Sequence, residues 1–358
     1  MSTNDRTQTL TIGLGIVAII LAVWNVYLTI KASSTPKTTV RFLHQKKGNR
    51  TVYMPPNSVR STNDFSGKVV LVTGGTSGIG LATAIAFAAA GAARVVVCGR
   101  TQKNWQMAQN VIQKAGIAVG VIEYVPCDVR VESQVHDLIQ GIFTKYKKLD
   151  VAVNNAGVAT GAPIQQQTLS GFGDAKSINY SLSTAMSPCA VGTEGAESPK
   201  CENPIFTDGI GVLYCLKHEI AMMRKYNSAT NPGSIVNTAS VNSIFGSAGG
   251  AVYSTAKAMV KLLTQSVAVE QAQINPPIRV NCVAPAAVYT PLITSQFPKG
   301  TSYQTINQAA SAGVALSRIA QPSEIAEPIL FLADDSRASY ITGSMLIIDG
   351  GLTAQPLV

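Results

Sequence analysis

The stretch KVVLVTGGTSGIGLATAIAFAAAG, residues 68–91, decides the fold. Five residues from Lys68 to Val72 are mostly β-branched and apolar, as a strand buried on both faces requires. A glycine-rich turn follows, with glycines at 74, 78 and 80, and then an alanine-rich helix that ends at Gly91. The next apolar run, RVVVCGR (94–100), reads as a second strand. Parallel strands need a crossover helix, so this is a β-α-β unit. Between strand and helix, glycines let the backbone approach a pyrophosphate, with the positive end of the helix dipole aimed at it.

The alternation continues outward. Strands are expected at 121–129, 149–157, 233–240, 278–285 and from Met345, with helices near 132–147, from about 211, near 252–271 and near 322–334. Seven strands with helices between them predict a doubly wound, Rossmann-type parallel α/β sheet in a single domain, residues 67–358. Ligands of such sheets bind at the carboxyl ends of the strands. At the end of the second strand stands Cys98-Gly99-Arg100-Thr101. A carboxylate there would repel a 2′-phosphate, whereas Arg100 can pair with one, so NADP(H) is expected over NAD(H).

The remaining 66 residues have a different texture. Thr7 to Ile30 is a run of 24 residues without a charge, with Trp24 and Tyr27 toward its end. As a helix it would extend about 36 Å, enough to cross a bilayer core of about 30 Å. It is too long for a signal peptide, and Asp5 and Arg6 before it do not make the basic start that one has. After a short tail, 1–6, residues 7–30 are therefore expected to be a single transmembrane anchor. Residues 31–66 follow as a basic, aperiodic tether. The chain carries a net +9, of which residues 1–66 hold +6 (eight Lys or Arg against Asp5 and Asp64). Positive charge following the span predicts a cytoplasmic catalytic domain and a membrane partner rather than nucleic acid. Three scattered histidines and six cysteines without a CxxC pair suggest neither a metal site nor a disulfide scaffold.

In AVYSTAKAM, residues 251–259, a tyrosine precedes a lysine by four positions, one helical face. Reducing a carbonyl leaves negative charge on its oxygen, so a proton must arrive there. A free phenol, with a pKa of about 10, is a poor match for neutral pH. A nearby ammonium, Lys257, favours the phenolate of Tyr253. A hydroxyl such as Ser240 can fix the carbonyl.

Together, TGGTSGIG (73–80), CDV (127–129), NNAG (154–157), Ser240, YSTAK (253–257) and APAAVYTP (284–291) resemble the short-chain dehydrogenase/reductase family over about 67–353. The resemblance implies a pyrophosphate turn from Thr73 and Gly74 through Thr76, Ser77, Gly78, Ile79 and Gly80. It implies adenosine contacts from Arg100, Thr101, Asp128 and Val129. Asn154 would brace the central sheet, and Asn155, Ala156, Gly157, Pro285, Val288 and Thr290 would lie beside the cofactor. Ser240, Tyr253 and Lys257 would be catalytic. Self-association through the fourth and fifth helices is also implied.

Two departures stand out. Asp208 falls where the family usually has an asparagine, with Asn179 as another candidate for that role. A polar, aperiodic insertion is expected over about 165–207. The expected function is a membrane-anchored oxidoreductase moving hydride between NADP(H) and a carbonyl or alcohol, with a lipophilic substrate suggested by the anchor. A cofactor-binding scaffold or redox sensor with little turnover is the alternative. An epimerase or dehydratase fits less well, because such proteins usually carry TGxxGxxG and this turn is TGxxxGxG.

Overall fold

The computed structural model describes residues 65–159, 161–166, 203–228 and 231–354. Seven parallel strands form one sheet in the order β3-β2-β1-β4-β5-β6-β7. They are β1 (Val69–Thr73), β2 (Arg94–Gly99), β3 (Ile122–Pro126), β4 (Val151–Asn154), β5 (Ser234–Thr238), β6 (Arg279–Pro285) and β7 (Met345–Ile348). The main helices are α1 (Gly78–Ala89), α2 (Gln102–Lys114), α3 (Glu132–Tyr146), α4 (Gly211–Tyr226) and α5 (Ala251–Ala272). Beyond them lie α6 (Pro291–Thr294), α7 (Tyr303–Ala310), α8 (Pro322–Ala333) and α9 (Asp335–Ala338). The strand order reverses between β1 and β4, the switch point where a doubly wound sheet opens a crevice.

Alternate strand residues feed two cores. Val70 and Val72 of β1 pack with Leu81, Ile85 and Phe87 of α1 and Ile325 and Ile329 of α8. Val69 and Leu71 face the opposite side, toward Leu138 and Ile142 of α3, Leu216 of α4 and Val260 of α5. Strands β1, β4, β5 and β6 are buried at every position. That explains their continuous apolar or small-polar runs.

Most of the expected insertion, 165–207, lies outside the described residues, as do Asn179, residues 1–64 and the expected anchor at 7–30. The last residues of the expected insertion are described and are ordered into helix. Ile205–Ile210 forms a π-helical turn that runs directly into α4, with Phe206, Thr207 and Asp208 buried. None of the described helices is long and apolar enough to cross a membrane.

Candidate active site

The carboxyl ends of the strands open into a cavity of about 570 Å³. Of the residues expected to bind cofactor or act in catalysis, all but Thr73 and Gly80 line it. Those two lie behind its wall and shape it. Thr73 is buried, and its Oγ1 accepts from the backbone N–H groups of Asn155 (3.0 Å) and Ala156 (3.1 Å). Asn155 Nδ2 in turn donates to the Thr73 carbonyl at 3.2 Å, stitching the end of β1 to the end of β4.

The glycine turn is sterically required. Gly74 has φ +65° and Gly78 φ +54°, in the left-handed region, and a Cβ at Gly80 would stand 2.4 Å from the Gly74 carbonyl oxygen. Ser77 precedes α1 without a side-chain cap, so the first N–H groups of that helix are left to a ligand. Across the turn, Gly78 faces Thr290, which is buried and donates to the Val288 carbonyl at 3.2 Å. These residues fit a dinucleotide's pyrophosphate: a backbone cradle that side chains would fill, at a helix N-terminus.

At the adenosine end, Arg100 and Thr101 line the cavity where β2 meets α2. Asp128 lines the cavity too, and its carboxylate already has a partner within the chain. Arg130 donates from Nε to both of its carboxylate oxygens (2.9 and 3.1 Å) and from its backbone N–H at 3.1 Å. Any adenine contact must share that carboxylate with Arg130. Burial alone would raise the Asp128 carboxyl; the arginine's bonds outweigh it and hold the group below the usual carboxylate range. Arg130, two residues after Asp128, was readable as a partner in CDVRV.

At the other end stand Ser240, Tyr253 and Lys257. Ser240 ends the segment after β5 and caps a short 3₁₀ turn (Val241–Ser243), its Oγ accepting from Asn242 N–H at 3.2 Å. Tyr253 and Lys257 share one face of α5, with Lys257 Nζ 5.7 Å from the Tyr253 ring centroid. Lys257 is buried, donates to the Thr238 carbonyl at 2.9 Å and pairs with Asp208 at 3.1 Å. So Asp208 is brought to the lysine by its own carboxylate. Sequence reading did not find the wall of the substrate end, which includes Asn242, Phe245, Leu292 and Ile293. Phe245 and Leu292 are exposed apolar side chains at this site, a signal visible only once the loops are folded.

A switch-point crevice with a glycine cradle at one end and a serine, tyrosine and lysine at the other defines a nucleotide-dependent α/β oxidoreductase. Residues 68–191 match the short chain dehydrogenase family, and residues 201–353 match the enoyl-(acyl carrier protein) reductase branch. An uncharacterized short-chain type dehydrogenase/reductase of Acanthamoeba polyphaga mimivirus is 33% identical, over 82% of this chain and 99% of its own. The 3-oxoacyl-[acyl-carrier-protein] reductase of Thermotoga maritima is 31% identical, over 80% of this chain and 98% of its own. Among solved structures, levodione reductase superposes with a TM-score of 0.64 at 26% identity, over 82% of this chain and 99% of that one. The chain belongs to the short-chain dehydrogenase/reductase family, oxidoreductases that act on alcohols and carbonyls with nicotinamide cofactors.

Proposed function

We propose that this chain is a membrane-anchored, NADP(H)-dependent dehydrogenase/reductase of an uncharged alcohol or carbonyl. The observation that carries it is the convergence of Arg100, the glycine turn, Ser240, Tyr253 and Lys257 on one cavity. The glycine turn and the N-terminus of α1 would hold the pyrophosphate, and Arg100 a 2′-phosphate. Thr290 and Lys257 would hold the nicotinamide and its ribose. A nicotinamide held there supplies or takes up a hydride. Ser240 positions the substrate oxygen, and Tyr253 gives it a proton in reduction or takes one in oxidation. Lys257, one turn along the same helix, holds its ammonium beside the tyrosine.

Among the described residues, the cavity's charged groups are Arg100 and Asp128 at the adenosine end and the Lys257–Asp208 pair at the base. Phe245, Leu292 and Ile293 around the other end favour an apolar, uncharged substrate. The uncharged run at 7–30 and the basic residues after it support an anchor with the catalytic domain on the cytoplasmic side. The exposed Leu262 and Val269, two turns apart on α5, support self-association through that helix.

Full-length protein, extracted from membranes with detergent, is assayed with NADPH and NADH against a panel of cyclic ketones, aldehydes and lipid carbonyls. Turnover with NADPH that falls at least about a hundredfold in Tyr253→Phe is the expected result. NADPH binding without turnover on any substrate would move the reading to a cofactor-binding scaffold. Recovery of the full chain from the soluble fraction would count against the anchor. A redox-sensing role draws no support from the thiols among the described residues: Cys98, Cys127, Cys215 and Cys282 are all buried. A hydrogen bond from Cys127 raises the Cys98 thiol, and burial raises Cys215 and Cys282, the last to about 11.

A further inference from the structure

Lys257 is held by more than its own helix. Its Nζ lies 3.1 Å from Asp208 Oδ2, with the two side chains only 5% and 1% exposed. The other carboxylate oxygen accepts from the Val158 N–H at 2.8 Å, which fixes the group from the end of β4. One glycine makes room for it and another for the turn that carries it. A Cβ on Gly157 would fall 2.8 Å from Asp208 Oδ2, and a Cβ on Gly209 would fall 2.7 Å from Met259 Sδ of α5. The π-helical turn, Ile205–Ile210, carries Asp208 at this contact. A carboxylate has thus been fitted against the lysine with its backbone, its second oxygen and its steric clearance all determined.

The ammonium is 5.7 Å from the Tyr253 ring centroid. A lone buried ammonium at that range favours the phenolate strongly. Paired with an anion it acts as a dipole, whose influence on the phenol is much reduced. The titratable groups acting on Lys257 are Asp208 from the π-helical turn, Tyr253 on α5 itself and Cys282 from β6; Lys261, one turn further along α5, acts on Cys282. Asp208 is the one carboxylate among them.

We propose that Asp208 is a positioning residue that fixes Lys257 and offsets its charge, so that Tyr253 exchanges its proton at a higher pH than it would beside an unpaired lysine. This rests on the assignment of Tyr253 as proton donor and adds what sets its working pH. Burial works against both charged forms. At Lys257 burial is the largest single influence and lowers the pKa, but Asp208 and Tyr253 together outweigh it and the pKa rises; at Asp208 burial outweighs the attraction and the pKa also rises. Both groups hold their protons more tightly than in water, which keeps the lysine charged at neutral pH.

The test is an ultraviolet tyrosinate titration of the full-length protein, which needs no substrate. Each protein is compared with its own Tyr253→Phe partner, so that one tyrosine of 11 is isolated. Asp208→Asn is expected to lower the Tyr253 midpoint by about one unit or more. Where turnover is measurable, the alkaline-side requirement for oxidation should move down equally, giving about a tenfold higher rate below it. A midpoint that stays or rises overturns the proposal. Asp208→Ser is the second variant if the asparagine form does not fold. Failure of both to fold would assign the carboxylate to folding and also overturn it. A wild type that titrates as expected but turns nothing over fails the functional reading alone. A wild type with Tyr253-dependent turnover and an unmoved midpoint fails this inference alone.

Discussion

Arg100 closes the second strand where a carboxylate would exclude a phosphate. Replacing it tests cofactor choice more directly than any other single change. Arg100→Asp should shift the ratio of kcat/KM for NADPH over NADH by at least about tenfold toward NADH, because one attraction is exchanged for one repulsion. An unchanged ratio would remove Arg100 from phosphate recognition. At this scale the sequence was informative wherever the chemistry is local. Tyr253 and Lys257 sit one turn apart, and Gly74, Gly78 and Gly80 lie within one turn of chain. Contacts between distant segments were legible only where the family resemblance supplied them: it set Asp208 near Lys257, but not the Val158 N–H that fixes the other carboxylate oxygen. The pairing of Asp208 with Lys257 joins residues 49 apart in sequence, and its clearance depends on Gly157. No periodicity encodes such a contact.

The elements follow a similar division. Strands buried on both faces announce themselves as β-branched runs, and β1, β2, β5 and β6 fall within a residue or two of where the sequence puts them. The edge strand β3 was read as 121–129 but ends at Pro126; Cys127 N–H still bonds to the Gly99 carbonyl at 3.0 Å, and the chain turns after Asp128, whose carbonyl accepts from Val131 N–H at 3.0 Å. The short helices α6 and α7 were not anticipated. Their cues are weak: Pro291 in the first turn of α6, and Ser302 accepting from Thr305 N–H at 3.2 Å to cap α7. Helix α4 was expected from about residue 211, yet helical structure starts at Ile205, hidden by the polar composition of the segment before it. One element carries a correctable weakness. Gly141 lies inside α3 with nothing within 4 Å of where its Cβ would be. Gly141→Ala should raise stability by about 0.5–1 kcal/mol, read as a higher denaturant midpoint at unchanged slope.

Across the whole molecule, the site's supports are joined by a buried polar chain. Glu219 of α4, fully buried, accepts from Asn154 Nδ2 at 3.0 Å; Asn154 also donates to Asn237 Oδ1 at 3.0 Å, and Asn237 to Thr264 of α5 at 2.9 Å. Burial pushes the Glu219 carboxyl from 4.5 up to about 7, the Asn154 bond only partly opposing it. The folded pKa is above the unfolded one, so this group's contribution is full below about pH 4.5 and is lost as pH rises through 7. The loss amounts to about 3 kcal/mol. Glu219→Gln should flatten the stability profile between these pH values and make the protein more stable than wild type at pH 8, measured by denaturant unfolding. An equally sloped profile in the variant would place the pH dependence elsewhere. Strands β4 and β5 are buried at every residue and sit at the middle of the sheet. Their amide hydrogens are expected to be among the slowest in the domain to exchange with deuterated solvent. The floor of the active site is thus expected to open only with the fold around it, while Phe245 and Leu292 at its mouth are exposed to solvent.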